Sequence, residues 1–292
     1  FFGFCFADVN IMKKIINLTH SDLDGVVCAI LLKKIYPEVK VYSCTYKTVN
    51  DKFGELINEF PNATYYITDM SLDESKFKEF LVGNKNIHLI DHHPAAESSI
   101  IENKVVYMNR GSGCKLVLDT LLAQGHLFDS EMKKLVEIAS DYDTWTHKLK
   151  MSKILNRLYS YYRFKGFLNR FEDGISNFTE EEKEYIKKNN DHINSYLKSI
   201  EVFDIDDGCY LVKTKENYVD EICQYIIDTL NADTVFLYHV HSKKLMLRGK
   251  YLNYGEFAKE FGGGGHPYAA SISIGSGEEL DNIIQKFLER RK

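Results

Sequence analysis

Ile87-His88-Leu89-Ile90-Asp91-His92-His93 is an apolar run that ends in an acid and two adjacent imidazoles. Three other segments share its form: Thr19-His20-Ser21-Asp22-Leu23-Asp24-Gly25, Tyr66-Ile67-Thr68-Asp69 and Ile138-Ala139-Ser140-Asp141-Tyr142-Asp143. Each follows a short apolar stretch, so each sets carboxylate or imidazole at the end of a buried element. Several carboxylates gathered in one cleft repel one another unless cations neutralise them. Mixed Asp and His donors suit a borderline divalent metal such as Mn²⁺ better than Ca²⁺. The pattern points to a two-metal hydrolytic centre.

On either side of this run, short β-like stretches alternate with helical ones from residue 13. Strands are expected over Lys13–Thr19, Val39–Tyr46, Thr64–Thr68, Ile87–Ile90 and Lys104–Met108. Helices are expected over Gly25–Tyr36, Asn50–Phe60, Asp73–Val82, Gly113–Gln124 and Ser130–Ala139. This alternation implies an α/β domain on a mainly parallel sheet. Ligands of such sheets sit beyond the carboxyl ends of the strands, which is where Asp22, Asp24, Asp69 and Asp91 fall. Residues 150–200 turn helical and more polar. A fresh set of β-like runs then begins at Tyr210–Thr214, Thr234–His239 and Lys244–Arg248, with a helix expected over Val219–Leu230. This reads as a second, smaller α/β domain.

The 292 residues are 44% hydrophobic and 27% charged, as in a soluble globular protein. A formal net charge of −5 argues against coating long nucleic acid, yet leaves room for a local basic pocket. Cys5, Cys28, Cys44, Cys114, Cys209 and Cys223 show no CxxC spacing and read as reduced core residues of a cytoplasmic protein. No run approaches the ~18–20 apolar residues of a membrane span, so no membrane partner is expected. Met12-Lys13-Lys14 resembles a natural start, and residues 1–11 are set aside as upstream sequence.

His20, Asp22 and Asp24 alternate along an extended segment entering a helix, so all three can face one cleft. An Asx turn or helix cap would explain Asp22 or Asp24 alone, but four such coincidences at element ends are not expected together. The four segments closely resemble the motifs of the DHH phosphoesterase superfamily, in order and spacing, across residues 13–145. His20 to Gly25 corresponds to its His-x-Asp-x-Asp-Gly motif, Asp69 to its second, Asp91-His92-His93 to the third that names it, and Asp141 to the fourth. The resemblance implies that His20 and Asp22 ligate one metal and that Asp24, His92 and Asp141 ligate another, with Asp69 bridging. Asp91 would orient an imidazole, and His93 would face the metal pair or the phosphate. Asp143 competes with Asp141 for its role; Asp141 is favoured because it directly follows Ile138-Ala139. Two divalent ions are implied, Mn²⁺ first, with Mg²⁺ or Co²⁺ as alternatives.

Phe261-Gly262-Gly263-Gly264-Gly265-His266-Pro267 precedes a helix-like Tyr268-Ala269-Ala270 and follows a strand ending at Arg248. This layout is similar to the DHHA1 domain, in which a glycine-histidine segment and a strand arginine hold the substrate. By that resemblance Arg248 and His266 grip a phosphate or terminal nucleotide, with Gly263, Gly264 and Gly265 packed against it; the planar fork of Arg suits phosphate. The implied division is a DHH catalytic domain over 12–185, a helical connector over 186–204 and DHHA1 over 205–292, with the active-site cleft between the two domains. The segment Asn156–Lys165, aromatics interleaved with basic residues, either stacks bases or is a packing helix. In size the chain resembles the oligoribonuclease branch. The expected activity is Mn-dependent hydrolysis of short single-stranded RNA or dinucleotides to mononucleotides by a two-metal-activated water. Alternatives are a RecJ-like single-strand DNA exonuclease, a phosphodiesterase or phosphatase for cyclic or linear dinucleotides or adenosine bisphosphate, and a non-enzymatic nucleotide-binding regulator. No obligate protein partner is evident, and oligomeric state is open.

Overall fold

A computed structural model describes residues 14–93, 105–108 and 111–291. Residues 1–11, and the first residues of the strands expected from Lys13 and Lys104, lie outside these. The chain falls into two compact units, residues 1–177 and 178–292.

The first unit begins with β1 (Ile15–His20), α1 (Leu23–Ile35), β2 (Lys40–Cys44), α2 (Val49–Glu59), β3 (Thr64–Thr68), α3 (Glu74–Gly83) and β4 (Ile87–Asp91). It continues with β5 (Val105–Tyr107), α4 (Gly113–Ala123), α5 (Ser130–Asp143) and α6 (Lys150–Arg170). The strands form one sheet in the order β2-β1-β3-β4-β5. All four pairings are parallel. The chain runs from β1 to β2 on one side and returns to β3 on the other, so the strand order reverses at β1. The crevice above β1 and β3 is therefore the place where an open α/β sheet binds its ligand.

Ile16 and Leu18 are fully buried, as a central parallel strand covered on both faces requires. Between them, Asn17 is also buried; its Nδ2 donates to the Tyr66 carbonyl (3.0 Å) and to Thr68 Oγ1 (3.0 Å), tying β1 to β3. From Leu23 to Leu32, α1 is buried all round, because helices and sheet surround it. On the other side, Phe53 meets Tyr65 and Phe77 edge to face at centroid distances of 5.5 and 4.9 Å. Each ring buried this way stabilises by about 1.5–3 kcal/mol. The Tyr65 hydroxyl donates to the Leu56 and Phe60 carbonyls at the end of α2, so the packing ring also caps the helix.

The second unit runs α7 (Glu180–Leu197), β6 (Val202–Asp206), β7 (Cys209–Thr214), α8 (Val219–Leu230), β8 (Thr234–His239) and β9 (Lys244–Gly249). Then come α9 (Tyr254–Lys259), β10 (Gly264–His266), β11 (Ala269–Ser273) and α10 (Gly277–Arg291). Its sheet order is β10-β11-β9-β8-β7-β6, antiparallel except for the β7-β8 pair that α8 connects. Tyr254, Phe257 and Phe236 surround Phe287 in its core. One sequence expectation needs correction here. Ala269-Ala270 belong to strand β11 and not to a helix, because β11 pairs with both β9 and β10. The glycine run leads into and forms part of strand β10. A Cβ on Gly263 would sit 2.3 Å from the Ser271 carbonyl oxygen, and one on Gly265 2.4 Å from that of Ala269. Side chains there would keep β10 from its place in the sheet. Among the described residues no helix is long and apolar enough to cross a membrane.

Candidate metal centre

The acids and imidazoles anticipated from the sequence converge at the carboxyl ends of β1, β3 and β4. Asp22 is the N-cap of α1: its carboxylate accepts from the Gly25 N–H (2.9 Å) and lies 2.6 Å from His20 Nδ1. Asp22 thus caps α1 and also stands within the cluster. Gly25 admits no side chain, since a Cβ would lie 2.1 Å from the His20 carbonyl oxygen. Asp24, buried, accepts from the Gly113 and Cys114 N–H groups at 2.6 and 3.0 Å, in the first turn of α4. A helix N-terminus is a natural seat for a carboxylate.

Asp69 leaves β3 with φ 57°, a left-handed conformation few non-glycine residues adopt, and its N–H donates to the Ile90 carbonyl. The turn aims its carboxylate into the crevice. Oδ1 lies 3.1 Å from His92 Nε2, and Oδ2 lies 3.8 Å from His20 Nδ1. Asp91 accepts from the His92 N–H (2.9 Å), the His93 N–H (3.2 Å) and Ser71 Oγ (2.7 Å), and pairs with His93 Nδ1 at 2.8 Å. It therefore orients His93. Burial opposes its charge, but the His93 and Ser71 bonds hold its pKa below the usual carboxylate value.

The fourth acid requires a correction. Asp141 does not point at the cluster. Its carboxylate accepts from Thr146 Oγ1 (2.6 Å), the Lys148 N–H (2.9 Å) and the Leu149 N–H (3.0 Å), tying down the loop that leads into α6. Asp143 takes the place instead, with Oδ2 3.6 Å from His92 Nε2. The reason is helical: α5 runs past Ala139 to Asp143, and residues two apart on a helix project to opposite sides.

The donor groups include His20/Asp22/Asp69 and Asp24/His92/Asp143, along with Asp69/Asp91/His92/His93, the donor atoms of each within 4.8 Å of one another. Asp69 lies between the first two. Asp69 Oδ2 and Asp143 Oδ2 are buried and have no hydrogen-bond partner among the described residues. Burial, then repulsion from Asp24 and Asp22, pushes both carboxyls well above their usual pKa. Asp22 goes the other way: desolvation opposes its charge, but the His20 bond, its charge and the Gly25 N–H bring it to about 2. Burial lowers the His92 pKa further than its acid neighbours raise it. Burial also pulls His20 down, yet the Asp22 bond and charge leave it above its ordinary value. Orphaned buried carboxylate oxygens beside neutral imidazole fit two divalent cations held by oxygen and nitrogen.

Sequence reasoning missed Tyr46, whose ring stands 5.3 Å from that of His20 and 5.8 Å from that of His93. Its place just past β2, beside β1 in the sheet, was the available signal. It also missed Gly113. A Cβ there would meet Asp69 Cβ at 2.7 Å and Asp24 Oδ2 at 3.0 Å.

In the second unit, Ala269 pairs with Arg248 on one side and His266 on the other, so one end of the sheet brings these two candidates together. Arg248 donates through Nε to Asp220 (3.0 Å) and through a terminal nitrogen to the Ala270 carbonyl (3.3 Å).

An open parallel sheet with carboxylates and imidazoles gathered at its switch point is suited to holding divalent cations against a phosphate ester. Residues 208–291 match the DHHA1 domain family. Oligoribonuclease NrnB of Bacillus subtilis (strain 168) is 25% identical over 304 residues, covering 92% of this chain and 74% of that protein. A 3',5'-cyclic-nucleotide phosphodiesterase of Helicobacter pylori is 23% identical over 210 residues, covering 64% of this chain and 58% of that protein. The structure of RecJ with Mn²⁺ from Thermus thermophilus covers 95% of this chain and 52% of its own, with TM-score 0.60 at 12% identity. The second unit thus carries a DHHA1 domain, and the chain as a whole is similar in sequence to an oligoribonuclease and in fold to RecJ.

Proposed function

We propose that the chain is a divalent-metal phosphodiesterase that cuts short oligoribonucleotides to mononucleotides, with Mn²⁺ as its working metal. The observation that carries this reading is the pair of three-donor groups with Asp69 between them. The likeness to an oligoribonuclease supports the substrate class. His20, Asp22 and Asp69 would hold one ion and Asp24, His92 and Asp143 the other. Divalent ions held there would offset the carboxylates and would supply an acidified water and charge neutralisation at the phosphate.

The chain's own residues do the rest. Asp91 accepts from His93 Nδ1 at 2.8 Å and so fixes the orientation of that ring beside the donor groups. The α4 N-terminus holds Asp24 in one rotamer. In the second unit, Asp220 fixes the guanidinium of Arg248, which with Gly263, Gly264, Gly265 and His266 would grip the substrate.

The test is a Mn²⁺-dependent time course on end-labelled RNA of two to about twenty-four nucleotides, resolved by length. Rapid loss of the shortest species is expected, with loss of all turnover in Asp69→Ala. Efficient attack on the longest strands would replace this reading with a RecJ-like exonuclease. The likeness to a cyclic-nucleotide phosphodiesterase makes cyclic substrates the second reading; turnover of those alone would select it.

A further inference from the structure

The aromatic and basic run Asn156–Lys165 is absorbed only in part by the core, through buried Leu158. Two of its other residues bond to neighbours of the candidate ligands. Asn156 Nδ2 donates to the Tyr142 hydroxyl (2.7 Å), between Asp141 and Asp143. Tyr159 donates its hydroxyl to the Ser21 carbonyl (2.8 Å), between His20 and Asp22. One turn beyond Tyr159, Arg163 interrupts α6 with φ 57° and ψ 176°. That region of the backbone map is essentially reserved for glycine. Gly166, three residues on, would take it without strain, yet it falls on Arg163.

Packing holds the break in place. Phe167 stands 5.8 Å from Tyr159 and 4.4 Å from Phe171, and Phe171 stands 6.5 Å from Tyr162. Arg163 itself is exposed and makes no hydrogen bond or ion pair among the described residues. Its charge still reaches the Tyr159 phenol. Burial and the Asp22 carboxylate push that phenol up to about 12, and Arg163 pulls against them. Arg163 thus stands exposed one turn from a tyrosine that bonds the stretch between His20 and Asp22, in a backbone conformation arginine rarely adopts. Strain of this kind persists where the surrounding structure imposes it, and it gathers at functional sites.

Resting on the phosphodiesterase reading, we infer that Arg163 binds the phosphate next to the one that is cut, and so selects substrates that carry a second phosphate. A guanidinium suits that task because its fork matches two phosphate oxygens. The acids around the centre would otherwise repel the flanking phosphate of an oligonucleotide.

The test compares a five-nucleotide RNA with bis(p-nitrophenyl) phosphate, which carries one phosphate, in wild type, Arg163→Ala and Arg163→Gly. Both variants are expected to raise KM for the RNA about tenfold, the size of one charged hydrogen bond. The kcat for RNA and the KM for the nitrophenyl ester should stay within about twofold of wild type, a window well inside that tenfold effect. Arg163→Gly should keep or raise Tm, since glycine takes this backbone freely, which separates a binding loss from a folding loss. An unchanged KM for RNA overturns the inference, as does a parallel rise for both substrates. No turnover of either substrate by the wild type would sink the phosphodiesterase reading, and this one with it.

Discussion

Asp141 and Asp143 are two residues apart and chemically identical, yet the structure predicts opposite phenotypes for them. Asp141→Ala removes the acceptor of three hydrogen bonds, from Thr146 Oγ1 and the Lys148 and Leu149 N–H groups. Bonds to a charged partner are worth about 1.5–3 kcal/mol each and do not add fully. A loss of roughly 3–5 kcal/mol is expected, which lowers Tm by about 6–15 °C in a domain of this size. Asp143→Asn removes no hydrogen bond to its buried Oδ2 and relieves repulsion with Asp24 and Asp22. The metal-free Asp143→Asn protein should therefore melt at or above the wild-type temperature. Its response to Mn²⁺ should collapse. The wild type at a hundredfold excess over Kd gains about 2.7 kcal/mol, and the variant should gain little. Loss of a ligand to the reacting ion should lower kcat by about 10³, or roughly 4 kcal/mol. Thermal melts with EDTA and with Mn²⁺, followed by kcat on short RNA, read all of this. If Asp141→Ala lost the Mn²⁺ response while keeping its metal-free Tm, the assignment of the fourth acid to Asp143 would be refuted.

Gly113→Ala should also weaken the centre without touching a ligand. Its Cβ would press on Asp69 and Asp24, costing about 1–3 kcal/mol and reducing the Mn²⁺ shift in a melt; a wild-type shift would show that α4 yields easily. Metal-free stability should rise as pH falls from about 8 to about 5.5, the range in which His and raised carboxyl groups titrate. Asp69 and Asp143 have raised pKa values, so the folded state binds protons more tightly than the unfolded chain and loses stability as pH climbs through them. His20, also raised, acts in the same direction above its unfolded value. Asp22 and Asp91 are lowered and oppose this only toward the acid end, while His92, also lowered, opposes it once pH falls below the ordinary imidazole value. Melts in EDTA that strengthened with rising pH would contradict this account, and Asp69→Asn should flatten the slope.

Much of this site is legible in the sequence alone. Apolar runs ending in Asp or His identify strand ends, and strand ends of a parallel sheet converge on one edge, so pattern is enough to find His20, Asp24, Asp69, Asp91 and His92. It is not enough for Asp143. Choosing between it and Asp141 depends on how far α5 extends, and helix ends are decided by the loop that follows as much as by local propensity. Tyr46 and Gly113 escape because nothing local marks them: one is an aromatic in a turn, the other a glycine at the start of a helix. They matter only because β2 lies beside β1 and α4 begins against Asp24.

In the second unit the same division holds. A run of four glycines announces close backbone approach, but whether that approach serves a turn, an anion or a strand depends on what comes near. Only the pairing of β10 with β11 answers it, since a glycine's neighbours are set by long-range contacts. Arg163 carries the lesson furthest. Its sequence neighbourhood is that of an ordinary amphipathic helix. Rings at 159, 162, 167 and 171 pack across the break, and Tyr159 is tied to the Ser21 carbonyl 138 residues away, a contact that no local preference shows. Residue type and periodicity are local properties, so the available chemistry and the order of elements can be read along the chain. Which of two equivalent acids faces the cluster, and which stretch of backbone carries strain, rests on contacts between residues far apart in that chain, and these exist only once it has folded.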